Sequence, residues 1–290
     1  MANAREIKKR IKAVGNIKRI TKTMQMIATS KFARAQSRAT ATKPYTEGVF
    51  GLVKELATRA GNVSHPLIDG PPSFEPDAPE VVLVLTSDRG LCGPYNGSVL
   101  RLALRTLRAP GMHAETQVVG RKGLSVLRFN NLEPSTHYRE FGDEPKFDDV
   151  ARVAQTFMDR FTAGEIRGVK VVYMRFLSAA RQTPEVLQLL PLKAPSVEGA
   201  APASAAQYEF SPEPEALLDS LLPEAVRSTL FQCFSDAVVS EHVARMVAMK
   251  AATDNAGKMG KDLTRVYNRA RQAQITTELS EIISGAAALG

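Results

Sequence analysis

The residues best equipped for chemistry lie in the segment EVVLVLTSDRGLCGPYNGSVL, residues 80–100. Its first apolar run predicts a strand, and the polar turn that follows holds Asp88, Arg89, Gly90 and Cys92. A helical pattern comes next. In α/β proteins the loop beyond the carboxyl end of a strand is where ligands usually bind. Cys92 is therefore a candidate nucleophile.

A cysteine nucleophile needs a general base, normally histidine, and an electropositive setting that lowers its pKa. None of the four histidines stands in a recognisable catalytic pattern. TSDRGLCG lacks the Lys-Ser/Thr pair of a phosphate-binding loop, and the sequence contains no G-x-G-x-x-G, C-x-x-C or H-E-x-x-H motif. We therefore expect a tight turn with Cys92 packed as a small hydrophobic residue, and no catalytic residue, metal or cofactor. A small α/β enzyme that uses this loop is kept as an alternative.

The elements around this loop alternate between strand and helix. Strands are predicted at 81–87, 116–120, 169–178 and 185–192, and helices near 95–108, 121–129 and 147–163. Such alternation predicts a small, mostly parallel sheet in a Rossmann-like α/β domain.

A long amphipathic helix is predicted before this domain, from about Ala4 to Ala60. Its apolar stripe recurs at roughly coiled-coil spacing, with a local stammer, and consists of Ile7, Ile11, Val14, Ile17, Ile20, Met24 and Ile27. Pro44 predicts a kink and Gly61 a stop. At about 1.5 Å per residue such a helix spans about 80 Å, longer than a compact domain is wide.

A second helical pattern runs from Pro214 to about Ser284, with Pro223 as an expected kink or break. The two outer helices each carry an apolar stripe, so we expect them to pair as a long antiparallel coiled coil. The predicted division is a first shaft helix, a linker, an α/β foot domain, a second linker and a second shaft helix, at 1–61, 62–79, 80–195, 196–213 and 214–290.

The positive charge is concentrated near the two ends of the chain. Residues 1–43 carry 12 Lys and Arg against one acid, and residues 245–271 carry seven against two. A rod this basic repels itself unless something acidic surrounds it. The segment lacks the interleaved aromatic residues that would support binding to nucleic acid, so an acidic protein partner is the preferred interpretation.

Three motifs together resemble one family. They are REIKKRIKAVGNIKRITKTMQMIATSK near the start, TSDRGLCG inside, and MVAMKAATDNAGKM followed by YNRARQAQITTELSEIISGAAAL near the end. In this order they are similar to the gamma subunit of F-type ATP synthases, of the bacterial type. The resemblance implies a non-catalytic central-stalk rotor that couples rotation of a membrane ring to ATP synthesis or hydrolysis in a ring of alpha and beta subunits.

The resemblance also implies partners and contact residues. The partners are the alpha and beta subunits, the epsilon subunit and the c-ring of the membrane sector, and no nucleic acid. Met24 and Arg245 match shaft residues that meet beta, with Met24 at its acidic lever loop. The residues that match the contact with the beta catch loop are Arg271, Gln272, Thr276 and Glu278. Tyr208 matches the foot contact with epsilon.

The sequence also bears on where the protein is located in the cell. No run approaches the roughly 18 apolar residues of a membrane span, and a chain that starts at MANAREI looks bacterial, without a presequence. The resemblance thus implies a peripheral protein at the cytoplasmic face of the inner membrane. The main alternative is a basic coiled-coil scaffold that binds an acidic protein or nucleic acid.

Overall fold

The computed structural model describes residues 4–59, 65–192 and 214–289. Two long helices, α1 (Ala4–Arg59) and α6 (Pro214–Leu289), lie before and after a region of shorter elements. In chain order these are α2 (Pro66–Asp69), β1 (Glu80–Leu85), α3 (Tyr95–Leu107), β2 (Ala114–Val119), α4 (Arg121–Phe129), β3 (Thr136–Tyr138), α5 (Phe147–Thr162), β4 (Gly168–Ser178) and β5 (Arg181–Leu190).

The chain divides into two compact units. One, called the coil unit below, combines Met1–Ser30 with Arg245–Gly290, and the other, the α/β unit, is Lys31–Ala244. Both boundaries fall inside a continuous helix, so α1 and α6 each contribute to both units.

The five strands of the α/β unit form one sheet in the order β3-β2-β1-β4-β5. The pairs β1–β2, β2–β3 and β1–β4 are parallel, and β5 is antiparallel to β4. The predicted α/β class with a mostly parallel sheet is confirmed. Strand β3 was not predicted, because three residues, Thr-His-Tyr, carry no apolar run.

Helices cover both faces of this sheet. Along β1, Val81, Leu83 and Leu85 share an apolar cluster with α5 and with the first part of α6. The alternate residues, Val82 and Val84, cluster instead with α3 and α4. All five are at most 2% exposed, which is why β1 is one uninterrupted apolar run instead of an alternating one.

A partly buried ionic contact joins β2 to α5. Arg160 donates two hydrogen bonds to the carboxylate of Glu115, of 3.2 Å and 2.7 Å, and Gln117 and Ser135 donate to the same carboxylate. The hydrogen bond from Arg160 is the main cause that lowers the pKa of Glu115 to about 2, against the opposing effect of burial.

The coil unit is an antiparallel pair of helices with a regular seam. Its less exposed positions on α6 recur at alternating steps of four and three, at 249, 253, 256, 260, 263, 267 and 270. On α1 they lie at 4, 7, 11 and 14 and again at 21, 24, 25 and 28, with position 18 exposed between the two groups. The hydroxyl groups of Thr21 and Thr253 lie 2.8 Å apart, and Gly260 lies opposite Val14, which fixes the antiparallel register.

The predicted apolar stripe of α1 is wrong at three positions. Ile17, Ile20 and Ile27 are 52%, 59% and 52% exposed, although Ile7 and Val14 are buried as expected. A step of three residues falls about 60° short of a full helical turn, so two such steps in a row carry a side chain away from the seam. The helices keep the regular seam, and the isoleucines stay on the outside.

Both long helices contain a proline, and neither is interrupted there. Pro44 lies within α1 and Pro223 within α6, so the predicted break at Pro223 is wrong. Leu222, Val226 and Leu230 are fully buried in the apolar cluster that also contains Leu83 of β1. At about 1.5–3 kcal/mol for each buried side chain, their burial exceeds the roughly 3 kcal/mol that a proline costs inside a helix.

No helix among the described residues is long and apolar enough to cross a membrane. Helix α2 lies in the segment that was interpreted as the first linker. The second predicted linker, 196–213, falls outside the described residues.

Candidate functional site

The surface of the coil unit combines positive charge with apolar side chains. Eight cations are exposed over the first turns of α1: Arg5, Lys8, Lys9, Arg10, Lys12, Lys18, Arg19 and Lys22. Within α1, Arg10 donates a hydrogen bond of 2.6 Å to the carboxylate of Glu6. The exposed isoleucines at 17, 20 and 27 lie among these cations, a combination typical of a protein-binding surface more than of a solvated helix face.

Two of the predicted contact residues are only partly accessible within the coil unit. Met24 and Arg245 are both half-buried, so each presents only part of its side chain to a partner. Arg245 also interacts within the chain. A partner that contacts these residues would meet side chains whose orientation the coiled coil already restricts.

The other four predicted contact residues lie on the part of α6 that extends past the described start of α1. Continuing the register of Thr21 with Thr253 places Ala4 opposite residue 270. Residues 271–289 therefore project about 28 Å beyond the described start of α1. Arg271, Gln272, Thr276 and Glu278 are all exposed on this projection.

These four residues share one side of the helix with an apolar stripe that the sequence interpretation missed. Ile275, Leu279, Ile282 and Ile283 are 55%, 56%, 68% and 60% exposed. On a helical projection Arg271 and Glu278 border the stripe on one side and Thr276 on the other, and Gln272 lies within it. Steps of four, three and one between the stripe residues were the available signal, since they mark one face of a helix.

The Asp88–Gly93 loop is held by the chain's own polar groups at the carboxyl end of β1. Asp88 Oδ1 accepts a hydrogen bond of 3.0 Å from the backbone N–H of Arg121, at the start of α4. Thr86 Oγ1 accepts one of 2.9 Å from the N–H of Gly123. Negative charge and oxygen acceptors at a helix amino terminus are stabilising, so these contacts fasten α4 to β1.

Cys92 is buried within this loop, as predicted. It is 2% exposed, and Asn96 Nδ2 donates to its sulfur at 3.2 Å. Ser87 Oγ is 3.7 Å away. The thiol also donates to the backbone carbonyl of Arg89 at 3.8 Å. Its contacts are thus an amide, a hydroxyl, a carbonyl and apolar neighbours, which is a packing environment and not an activating one.

The space next to the loop is small. Thr86, Asp88, Arg139 and Asp143 are among the residues around a cavity of about 30 Å³, which is room for about one water molecule. Among the described residues no group of three or more His, Cys, Asp and Glu side chains is arranged to hold a metal ion. Tyr208, the predicted epsilon contact, lies outside the described residues.

Comparison with known proteins identifies the family. The model of the ATP synthase family matches residues 3–289. The ATP synthase gamma chain of Rhodopirellula baltica is 41% identical over 297 residues, which cover 100% of this chain and 99% of that one. The gamma chain of Leptospira biflexa is 38% identical over 292 residues and covers both chains completely.

Solved structures show the same fold at lower identity. A chain of the Euglena gracilis mitochondrial ATP synthase, in a structure of OSCP, F1 and the c-ring, matches with a TM-score of 0.67 and 19% identity, over 99% of this chain and 94% of its own. A chain from the central stalk and c-ring of Tetrahymena thermophila mitochondrial ATP synthase matches with a TM-score of 0.56 and 22% identity, over 80% and 99%.

The long paired helices, the five-stranded sheet and the full-length similarity agree with one another. The chain belongs to the family of ATP synthase gamma chains.

Proposed function

We propose that this chain is the central-stalk rotor of a proton-translocating F-type ATP synthase. It couples rotation of the membrane ring to ATP synthesis and hydrolysis in the alpha and beta ring, and it is itself a non-catalytic subunit. Its partners are the alpha, beta and epsilon subunits and the c-ring. The observation that carries this proposal is the family membership over the whole chain.

The geometry of the coil unit suits this role. Coupling between a rotating shaft and separate catalytic sites requires contacts that differ from one orientation to the next. The exposed surface of the projecting end of α6 is uneven, because an apolar stripe lies between polar residues. Exposed ionic contacts are worth only about 0–1 kcal/mol each, so they break and re-form as the shaft turns.

Individual residues have proposed roles. Met24 contacts the acidic lever loop of beta, and Arg245 is a second contact with beta. The contacts with the beta catch loop are Arg271, Gln272, Thr276 and Glu278. Tyr208 contacts epsilon.

The same proposal assigns the parts of the chain and its place in the cell. Residues 1–61 and 214–290 are the shaft helices, 80–195 are the foot, and 62–79 and 196–213 are linkers. The chain is a peripheral protein at the cytoplasmic face of a bacterial inner membrane. No observation on the described residues favours a nucleic-acid partner over these.

The test measures ATP hydrolysis by the alpha and beta subunits with and without this chain. We expect fast hydrolysis at one copy per hexamer. Crosslinking of an Arg271→Cys variant to the beta catch loop should abolish it, whereas Arg105→Cys, on the exposed surface of α3, is the matched control and should not crosslink. Cys92 and Cys233 are 2% and 1% exposed, so they do not compete. Absence of association or of any effect on hydrolysis would refute the rotor.

A further inference from the structure

The connection between β3 and α5, residues 139–146 and called the clamp loop below, brings two adjacent carboxylates to α1. Asp143 accepts a hydrogen bond from Lys31, and Glu144 pairs with Arg38 at 3.2 Å. Lys31 and Arg38 are seven residues apart and therefore lie on one face of α1. Both side chains of the Lys31–Asp143 pair are only 33% exposed, whereas those of the other pair are more than half exposed. Asp143 thus makes the stronger contact.

The clamp loop is also fixed to α6, by aromatic side chains. The ring centroids of Phe141 and Phe234 are 4.6 Å apart, and the two rings are tilted. Phe147, which directly follows the loop, meets Phe231 edge-on with 5.4 Å between the ring centroids. Phe141 is 4% and Phe234 3% exposed. The loop therefore holds α6 through buried apolar contacts and α1 through ionic ones.

The ionic contact matters because α1 is loosely packed on the sheet at this level. Gln36, Ala39 and Thr40 of α1 line a cavity of about 470 Å³ against β4, β5 and α6. One turn earlier, Phe32 meets Phe176 of β4 with 6.2 Å between the ring centroids. With this much open volume, a small number of side-chain contacts determines how firmly this part of α1 follows the sheet.

Positive charges on two further parts of the chain also affect the pKa of Asp143. Partial burial by itself raises the pKa of Asp143, but the hydrogen bond and charge of Lys31, with the charges of His242 on α6 and Arg89, outweigh it and lower the pKa. The carboxylate is therefore ionised at neutral pH. Arg89 belongs to the Asp88–Gly93 loop, whose other contacts fasten α4, so the loop supplies one of the charges that stabilise Asp143.

We propose that Asp143 is a positioning residue for rotary coupling, because it fixes α1 to the α/β sheet through Lys31. Torque applied to the sheet then reaches α1 and α6 together, instead of being lost as α1 twists against the sheet. The proposal rests on the rotor function proposed above.

The test replaces Asp143 by asparagine in the complete ATP synthase reconstituted in vesicles. We expect ATP hydrolysis to stay within about twofold of wild type while ATP-driven proton transport falls about fivefold, since a weakened link lets the two sites lose their coupling. Lys31→Met should act in the same way. Asp143→Glu, which keeps the carboxylate beside Lys31, should retain at least half of the transport that Asp143→Asn loses, which a need for the shape of aspartate alone would not allow.

The control is Glu133→Gln, which removes an exposed carboxylate paired with Arg128 elsewhere in the α/β unit. Proton transport by Asp143→Asn equal to that of this control would overturn the proposal, as would an Asp143→Glu variant that transports no better than Asp143→Asn. Hydrogen exchange in the isolated chain tests the contact without the complex: residues 31–40 should exchange about tenfold faster in Asp143→Asn. If wild type fails to couple but this exchange result holds, the rotor function is wrong and the contact is right. Unchanged exchange refutes the contact itself.

Discussion

The pairing of Glu115 with Arg160 makes a quantitative prediction for the α/β unit. Replacing Glu115 by glutamine removes the charge that Arg160 holds with two hydrogen bonds. The pKa of Glu115 falls from 4.5 to about 2 in the folded chain, which corresponds at most to about 3 kcal/mol of stability. The side chains remain 18% and 27% exposed, so screening by solvent reduces the expected loss to about 1–2 kcal/mol at neutral pH.

The pH dependence follows from the direction of this shift. A carboxyl group whose pKa is lowered by folding contributes stability above its unfolded pKa and loses that contribution as the pH falls through the folded value. The contribution of Glu115 is therefore complete above pH 4.5 and disappears as the pH falls from there towards about 2. The glutamine variant should be less stable than wild type at pH 7, and the difference should shrink below pH 4.5.

Urea unfolding of the full chain measures this difference. The chain has no tryptophan, but near-ultraviolet circular dichroism follows the tyrosines of the α/β unit, of which Tyr95 and Tyr173 are 3% and 4% exposed. The control is Glu133→Gln, whose pair with Arg128 is mostly exposed and should give a change near zero. A difference for Glu115→Gln that stays constant between pH 7 and pH 3.5 would show that packing, and not the ionised carboxylate, explains the effect.

Three further changes have distinct expected outcomes. Gly120→Ala should destabilise the chain by about 3 kcal/mol or more in thermal unfolding, because φ is +89° and a Cβ would lie 2.3 Å from a backbone oxygen. Its control is Gly111→Ala, where φ is +75° but the space around a Cβ is open, and the same measurement should give a cost of only about 1 kcal/mol. Cys92→Ala should leave ATP hydrolysis by the complex unchanged, and a loss of activity would contradict the packing role. Thr253→Val should cost the coil unit about 1 kcal/mol in urea unfolding, while Thr264→Val, which is exposed, should cost less, and equal effects would discount the hydroxyl contact across the seam.

The α/β unit was largely predictable because its elements are short and follow local rules. Helix α4 was predicted with its observed bounds, since Gly120 precedes it and Asn130 follows it. The coil unit was harder. The apolar residues Ile17 and Ile20 suggested a seam that the structure does not use, because the partner helix, and not hydrophobicity alone, decides which face is covered.

The contacts between distant parts of the α/β unit were not predictable from local patterns. Asp143 and Lys31 are 112 residues apart, and although Lys31 is the last residue of the first family motif, Asp143 stands in none, so no pattern pairs them. The four predicted contact residues on α6 come from the family motif and stay a prediction, whereas the exposure of the stripe at Ile275 and Leu279 became evident only from the register of the two helices.

The projecting end of α6 has a consequence for assembly. A segment of about 19 residues with no opposite helix is only marginally helical in water on its own, because helix nucleation is unfavourable and short helices are stabilised mainly by packing. Surroundings that cover the stripe from Ile275 to Ile283 would therefore complete the folding of this end. The affinity of this end of α6 for those surroundings is then reduced by the free energy needed to order the helix. Substitutions that raise the helix propensity at exposed positions such as Thr277 would therefore tighten assembly without adding a contact.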